Sequence, residues 1–202
     1  MTYKLEFTTQ KHIPGVVALQ RVCFPAPFPE DCIWQSEHIH SHIQLFPEGQ
    51  FVIIFKDLVV ASCTNILISR DDWEAHLDWE TATGGLSLPK HNPQGEVLYG
   101  VDVSVHPENR QKGLAKRLYK ARFEIVKSLG LQQYGTVCRI PGFLQSQQND
   151  PAEYADAVVS GSIKDQTLTP LLKMNLTYKG VINNYLEDKE SGDAGAILEW
   201  TP

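Results

Sequence analysis

Residues 101–126 read VDVSVHPENRQKGLAKRLYKARFEIV, a strand-like alternation that runs through a proline and an arginine into a basic helix. The first turn of any helix presents backbone N–H groups without an internal acceptor, at the positive end of the helix dipole. Phosphate oxygens fit there. Gly113 would let a ligand approach the backbone closely, Ala115 keeps the next turn small, and Arg110 and Lys112 could add charge-assisted hydrogen bonds. Two other phosphate-binding loops are excluded, because the chain has neither G-x-x-x-x-G-K-[ST] nor G-x-G-x-x-G with a following acidic residue. On the strand, period-two alternation places Val101, Val103 and Val105 on one face and Gly100, Asp102 and Ser104 on the other.

The elements that must carry this stretch follow from periodicity. Residues 3–8 alternate as an opening strand, and Ile13, Val16, Val17, Leu19 and Val22 recur at helical spacing before Pro25. Asp31 is placed to cap a second helix ending near Leu45; its His38, His40 and His42 do not share a face and read as exposed polar residues. Residues 51–55 and 59–68 form a hairpin, residues 97–105 a further strand, and about 112–128 the basic helix closed by Gly130. Residues 131–140 supply another strand. Asp150, Pro151 and Glu153 start a helix by capping, "TPLLKMN" gives a short one, and "LTYKGVI" and "AGAILEW" close as strands. The order β-α-α-β-β-β-α-β-(α)-α-β-β predicts one α/β domain over 1–202, with a mixed, mostly antiparallel sheet covered by helices on both faces. Within it lie a loop insertion at about 70–96 and a helical insertion at about 140–165.

Composition narrows the function. A net charge of −6 over 202 residues argues against nucleic acid as a partner, since phosphate backbones need a basic surface. Against that background Arg110, Lys112, Lys116, Arg117, Lys120, Arg122 and Lys127 fall in one stretch, either a solvated helix face or a site for a small polyanion. No run is long and apolar enough for a membrane span, and the N-terminus lacks a signal-peptide pattern, which points to a cytoplasmic protein. Cys23, Cys32, Cys63 and Cys138 are scattered without C-x-x-C spacing; they read as small buried apolar residues, with no metal expected.

The pattern V-x-V-x-P-x-x-R-x-x-G-x-A, with its element order, resembles the GNAT N-acetyltransferase superfamily over nearly the whole chain. More narrowly, "FPEGQ", "RIPGF" and "AILEW" resemble the acetyltransferase-like domain found fused to nitrilase-type carbon–nitrogen hydrolases. The resemblance implies acetyl-CoA as co-substrate. Its pantetheine would pair with the main chain of Val103, Ser104 and Val105, and its pyrophosphate would meet Arg110, Gln111, Lys112, Gly113, Leu114 and Ala115. It also implies direct attack of an amine on the thioester, with Asp102, or less directly Glu96, taking the amine's proton.

The superfamily's leaving-group tyrosine falls on Leu171, with Lys173 and Asn175 following it, so Tyr178 and Tyr185 stand as substitute acids. Nor is the asparagine that often follows the fifth strand evident near "CRIPGF". The expected activity is N-acyl transfer to an amine. The alternative is a catalytically weak acyl-CoA-binding module that docks a partner such as an amidase. A homodimer contact stays open as well.

Overall fold

Phe51–Phe55 (β2) and Leu58–Ile68 (β3) are joined by Lys56 and Asp57, both at positive φ (51° and 63°). Two such residues make the tight turn whose twist matches that of the flanking strands. The computed structural model describes residues 2–202 and extends one sheet from this hairpin. Lys4–Phe7 (β1) pairs with β2. Beyond β3 come Val97–Val105 (β4) and Gln133–Arg139 (β5), then Gly195–Trp200 (β7) and, at the far edge, Thr177–Ile182 (β6). Every neighbouring pair is antiparallel except β4 and β5, which are parallel and need a crossover; helix Leu114–Ser128 (α5) supplies it.

One face of the sheet carries Ile13–Cys23 (α1) and Ser36–Leu45 (α2), whose Ile13, Val16 and Ile39 pack with Trp34 on Val52. The other carries α5, Pro151–Val159 (α6) and Leu168–Leu172 (α7), which bury Leu118, Tyr154, Val158 and Leu171 in the larger core. The expected α/β sheet with helices on both faces is therefore present.

Several local expectations are corrected. Residues 70–96 contain two short helices, Arg70–Glu74 (α3) and Trp79–Thr83 (α4). Trp73 and Leu88 close the core over Val97 and Tyr99, and the Trp73 indole donates to Glu199 at 2.8 Å. Asp31 does not cap α2: it lies in a 3-10 turn, and Gln35 occupies the N-cap. Helix α5 begins at Leu114 rather than near 112, because Gly113 is left-handed. Cys63 and Cys138 are buried as expected, whereas Cys23 and Cys32 are half-buried; all four are free thiols. Among the described residues, no helix is long and apolar enough to cross a membrane, and no cluster of His, Cys, Asp and Glu could hold a metal ion.

The histidines of α2 are not exposed. His38 and His40 are half-buried, and His42, one turn from Ile39, faces the core, where its Nε2 lies 2.7 Å from the Leu86 carbonyl and its ring meets Trp34 edge-on. Burial pushes the His42 imidazole down to about 4. The unfolded chain takes up a proton here near pH 6.5 and the native chain only near 4, so its contribution is complete above pH 6.5 and is lost as pH falls toward 4. The loss amounts to about 3 kcal/mol. Urea unfolding at pH 7, 5.5 and 4 should show a shallower loss of stability in His42→Gln than in the wild type; parallel curves would contradict this.

Candidate active site

Parallel pairing between β4 and β5 runs from Val97–Gln133 to Gly100–Thr136 and stops. The Thr136 hydroxyl donates to the Gly100 carbonyl at 2.7 Å at this last rung. Beyond it β4 continues to Val105 paired only with β3, and β5 continues to Arg139 paired only with β7. The two strands splay apart, and the β4 backbone from 101 to 105 presents an unpaired edge to the gap. A β-bulge lies at the same level: Thr64 pairs with Asp102 while Asn65 pairs with Gly100, so Val101 is the extra residue. Bulges bend and twist a strand, as is needed for β4 to leave its neighbour.

The bulge also overturns the expected alternation. Val101 packs with Tyr99 on the α1 side rather than with Val103 and Val105, which face α5. Asp102 and Ser104 consequently lie on the α1 side together with Val101. An extra residue shifts every later side chain to the opposite face, and no alternation rule applied to 101–105 alone could reveal it.

On that face Asp102 is half-buried and its carboxylate is held by two donors. Gln20 of α1 donates at 3.2 Å and Ser104 at 3.0 Å, and Gln20 also reaches Ser104 at 3.1 Å. Burial pushes the Asp102 carboxyl up to about 6, against the lowering effects of Ser104, Arg122, Gln20 and Arg139. Cys23, on the last turn of α1, lies against Ser104 and Arg110, and burial raises its thiol to about 11. Across the gap Arg139 forms a two-pronged ion pair with Asp188, both contacts at 2.6 Å, and a third with Glu190 at 2.9 Å. Its guanidinium lies 5.7 Å and 5.3 Å from the rings of Phe24 and Phe28. The segment leaving α1 is thereby anchored to the end of β5.

At the open end of the gap, the chain passes through a 3-10 turn, Pro107–Asn109, into the loop 110–113. Gln111 and Gly113 adopt positive φ (60° and 76°). The first helical backbone bond runs from Arg117 N–H to the Gly113 carbonyl at 3.1 Å. Among the described residues, the N–H groups of Gln111, Lys112, Gly113, Leu114, Ala115 and Lys116 meet no backbone acceptor. Arg110, Gln111, Lys112 and Gly113 are exposed, whereas Leu114 is buried and Ala115 half-buried, which anchors the helix end beneath the loop. Arg110 turns back to the Val105 carbonyl at 3.2 Å, and Lys112 reaches the Glu108 carbonyl at 2.7 Å. The remaining cations of the stretch divide: Lys116 and Lys120 are exposed, Arg117 donates to the Tyr3 carbonyl, Lys127 pairs with Glu124, and Arg122 is buried.

The fold brings Asp102, Val103, Ser104 and Val105 to the gap and Arg110 to Ala115 to its mouth, but not the other candidates. Glu96 is exposed at the closed end of β4 and accepts from the Arg70 N–H at 3.2 Å. Tyr178 lies on edge strand β6, separated from β5 by β7, and burial with neighbouring Asp156 pushes its phenol up to about 12. Tyr185 is buried, its hydroxyl 2.5 Å from that of Tyr99. Leu171 is a core residue. Sequence reasoning missed Gln20 and Arg122. Each had a signal, as a polar residue in an otherwise apolar helical series: Ile13, Val16, Gln20 in α1 and Leu114, Leu118, Arg122, Val126 in α5.

A Cβ at Gly113 would meet no heavy atom within 4 Å, so the glycine answers to its positive φ and not to crowding by the protein. Gly113→Ala should therefore lower the unfolding free energy by only about 1–2 kcal/mol. Urea denaturation checks this; a larger loss would mean that the loop supports the core.

The model of the acetyltransferase (GNAT) family matches residues 13–139, more than half of the chain. The chain is 32% identical over 193 residues to the uncharacterized N-acetyltransferase YkwB of Bacillus subtilis (strain 168), covering 95% of this chain and 85% of that one. It is 33% identical over 193 residues to the probable hydrolase YhcX of the same organism, but spans only 37% of that longer protein. Among solved structures, the loading GNATL domain of CurA from Lyngbya majuscula superposes with a TM-score of 0.84 at 19% identity, over 100% of this chain and 98% of that one. The GphF GNAT-like decarboxylase in complex with isobutyryl-CoA gives 0.78 at 18% identity, over 98% of each chain. The chain belongs to the GNAT acetyltransferase family.

Proposed function

We propose that the protein is an acyl-CoA-dependent N-acyltransferase that moves an acetyl group from acetyl-CoA to an amine. One observation carries this reading: the unpaired edge of β4 at 101–105 leads directly into the run of free N–H groups at 111–116. An extended pantetheine arm has amides to pair with the first, and a pyrophosphate has oxygens for the second. The open space beside Gly113 fits the same group, and Arg110 and Lys112 supply positive charge at the loop.

In this reading the acceptor approaches from the α1 side, where Asp102 waits with a carboxyl of pKa about 6. An alkylammonium gives one proton to that carboxylate and becomes nucleophilic. The amine lone pair then forms the C–N bond, the C–S bond breaks with its electron pair on sulfur, and the amine's second proton leaves to water or to the thiolate. A thiol of ordinary pKa about 8.5 leaves readily as thiolate, so the step proceeds without a tyrosine at position 171.

Binding and chemistry separate in the tests. Acetyl-CoA and CoA at about a hundred times their dissociation constant should each raise the melting temperature by several degrees, more than ADP does. Arg110→Glu should weaken coenzyme binding roughly tenfold to a hundredfold. Asp102→Asn should leave that binding intact and lower amine-dependent thiol release by about 10²–10⁴. In the wild type that rate should rise with pH through about 6 as Asp102 loses its proton. Coenzyme binding without turnover across an amine panel would identify a binding module instead. No melting shift at millimolar ligand would contradict both.

A further inference from the structure

We propose that Arg122 is a positioning residue for this reaction: from the α5 side of the sheet it holds the β4 bulge that turns Asp102 toward the acceptor. The inference rests on the reading of Asp102 as the base.

Arg122 is 1% exposed, and among the described residues no carboxylate lies within ion-pair distance of it. A buried guanidinium without a counter-charge is costly, and here its two terminal nitrogens are met by oxygen acceptors while Nε has no partner among the described residues. Nη2 donates to the Thr64 carbonyl at 3.1 Å and to the Asp102 carbonyl, the two residues that face each other beside the register shift. Nη1 donates to the Tyr134 hydroxyl at 2.8 Å, and the rings of Tyr119 and Tyr134 flank the cation at 4.9 Å and 5.6 Å. Tyr134 reaches this position because residue 100 is glycine: a Cβ there would stand 2.1 Å from its hydroxyl oxygen.

A bulge disrupts the ladder locally and leaves carbonyls in need of donors. The guanidinium, held between the Tyr119 and Tyr134 rings, serves one carbonyl on each strand from Nη2 and the Tyr134 hydroxyl from Nη1 at once, a spread of donors that an apolar side chain lacks and a compact ammonium does not span. Arg122 therefore ties β3 to β4 where Val101 is inserted. The insertion in turn places Asp102 and Ser104 beside Gln20.

The groups facing Asp102 are Gln20 and Cys23 from α1, Ser104 from β4 and Arg139 from β5, with Cys63 of β3 and Arg122 behind the strand on the α5 side. Removing the Arg122 charge leaves the others in place and removes one influence that favours the carboxylate. The experiment is a ¹³C-carboxyl NMR titration of Asp102 in wild type, Arg122→Lys and Arg122→Met, with pH–rate profiles and CoA-induced melting shifts on the same proteins. In Arg122→Met the Asp102 midpoint should rise by roughly half a unit or more, the acid limb of the rate profile should move with it, and CoA binding should persist. Arg122→Lys should keep the midpoint near wild type but recover turnover only in part. A folded Arg122→Met with wild-type midpoint and rate overturns the proposal. Should that variant fail to fold, full wild-type turnover in Arg122→Lys overturns it and a reduced turnover with intact CoA binding supports it. The titration needs no substrate, so a wild type inactive toward amines would sink the acyltransfer reading and with it a role in that reaction, while a shifted midpoint would still show that Arg122 acts on Asp102.

Discussion

The end of β4–β5 pairing at Gly100 and Thr136 is the constraint on which the rest of the structure depends. A continuous parallel ladder would satisfy the backbone of 101–105 and leave no edge for anything else. Breaking it exposes donors and acceptors in the middle of a sheet, where unmet backbone groups are expensive. The molecule limits the damage on both sides of the break. The Thr136 hydroxyl finishes the last rung, the Val101 bulge turns β4 away, and β3 and β7 keep the outer edges of the two strands paired.

Polar side chains then stabilise a region that hydrophobic packing alone would close. Gln20, Ser104 and Asp102 form one hydrogen-bonded set on the α1 side, and Arg122 with Tyr134 forms another on the α5 side. Buried polar groups of this kind rigidify a region when they are satisfied; Nη1 and Nη2 of Arg122 are, and its Nε is not, so this set is held at a cost. Arg139, gripped by Asp188 and Glu190 and faced by Phe24 and Phe28, does comparable work across the mouth of the gap. It connects the α1 exit, the end of β5 and the loop before β7, three segments far apart in sequence. Chemistry and fold meet at these contacts.

Much of this was legible in the sequence, for identifiable reasons. Strand alternation in 51–68 and 97–105 and the helical series of α1 and α5 report burial directly, so element order and fold class emerged from periodicity. The loop announced itself because Gly113 and the cations around it are local in sequence. Long-range register was not legible. The extra residue at Val101 depends on how β3 pairs with β4, and it reversed the face assigned to that valine. Buried polar partners were hidden for a related reason: Arg122 looked like one more cation of a basic stretch, though its place in the apolar series of α5 marked it as facing the core. The segment 70–96 misled by composition, since its polar surface conceals Trp73 and Leu88, which seal the sheet.

The central claim is that the unpaired edge of β4 and the loop beyond it together receive an acyl-CoA. Amide hydrogen exchange with and without saturating CoA tests it most directly, because the claim concerns particular backbone N–H groups. The account predicts slowed exchange confined mainly to 102–105 and 111–116, with β1 and β2 unchanged. CoA that binds without protecting either stretch would contradict it.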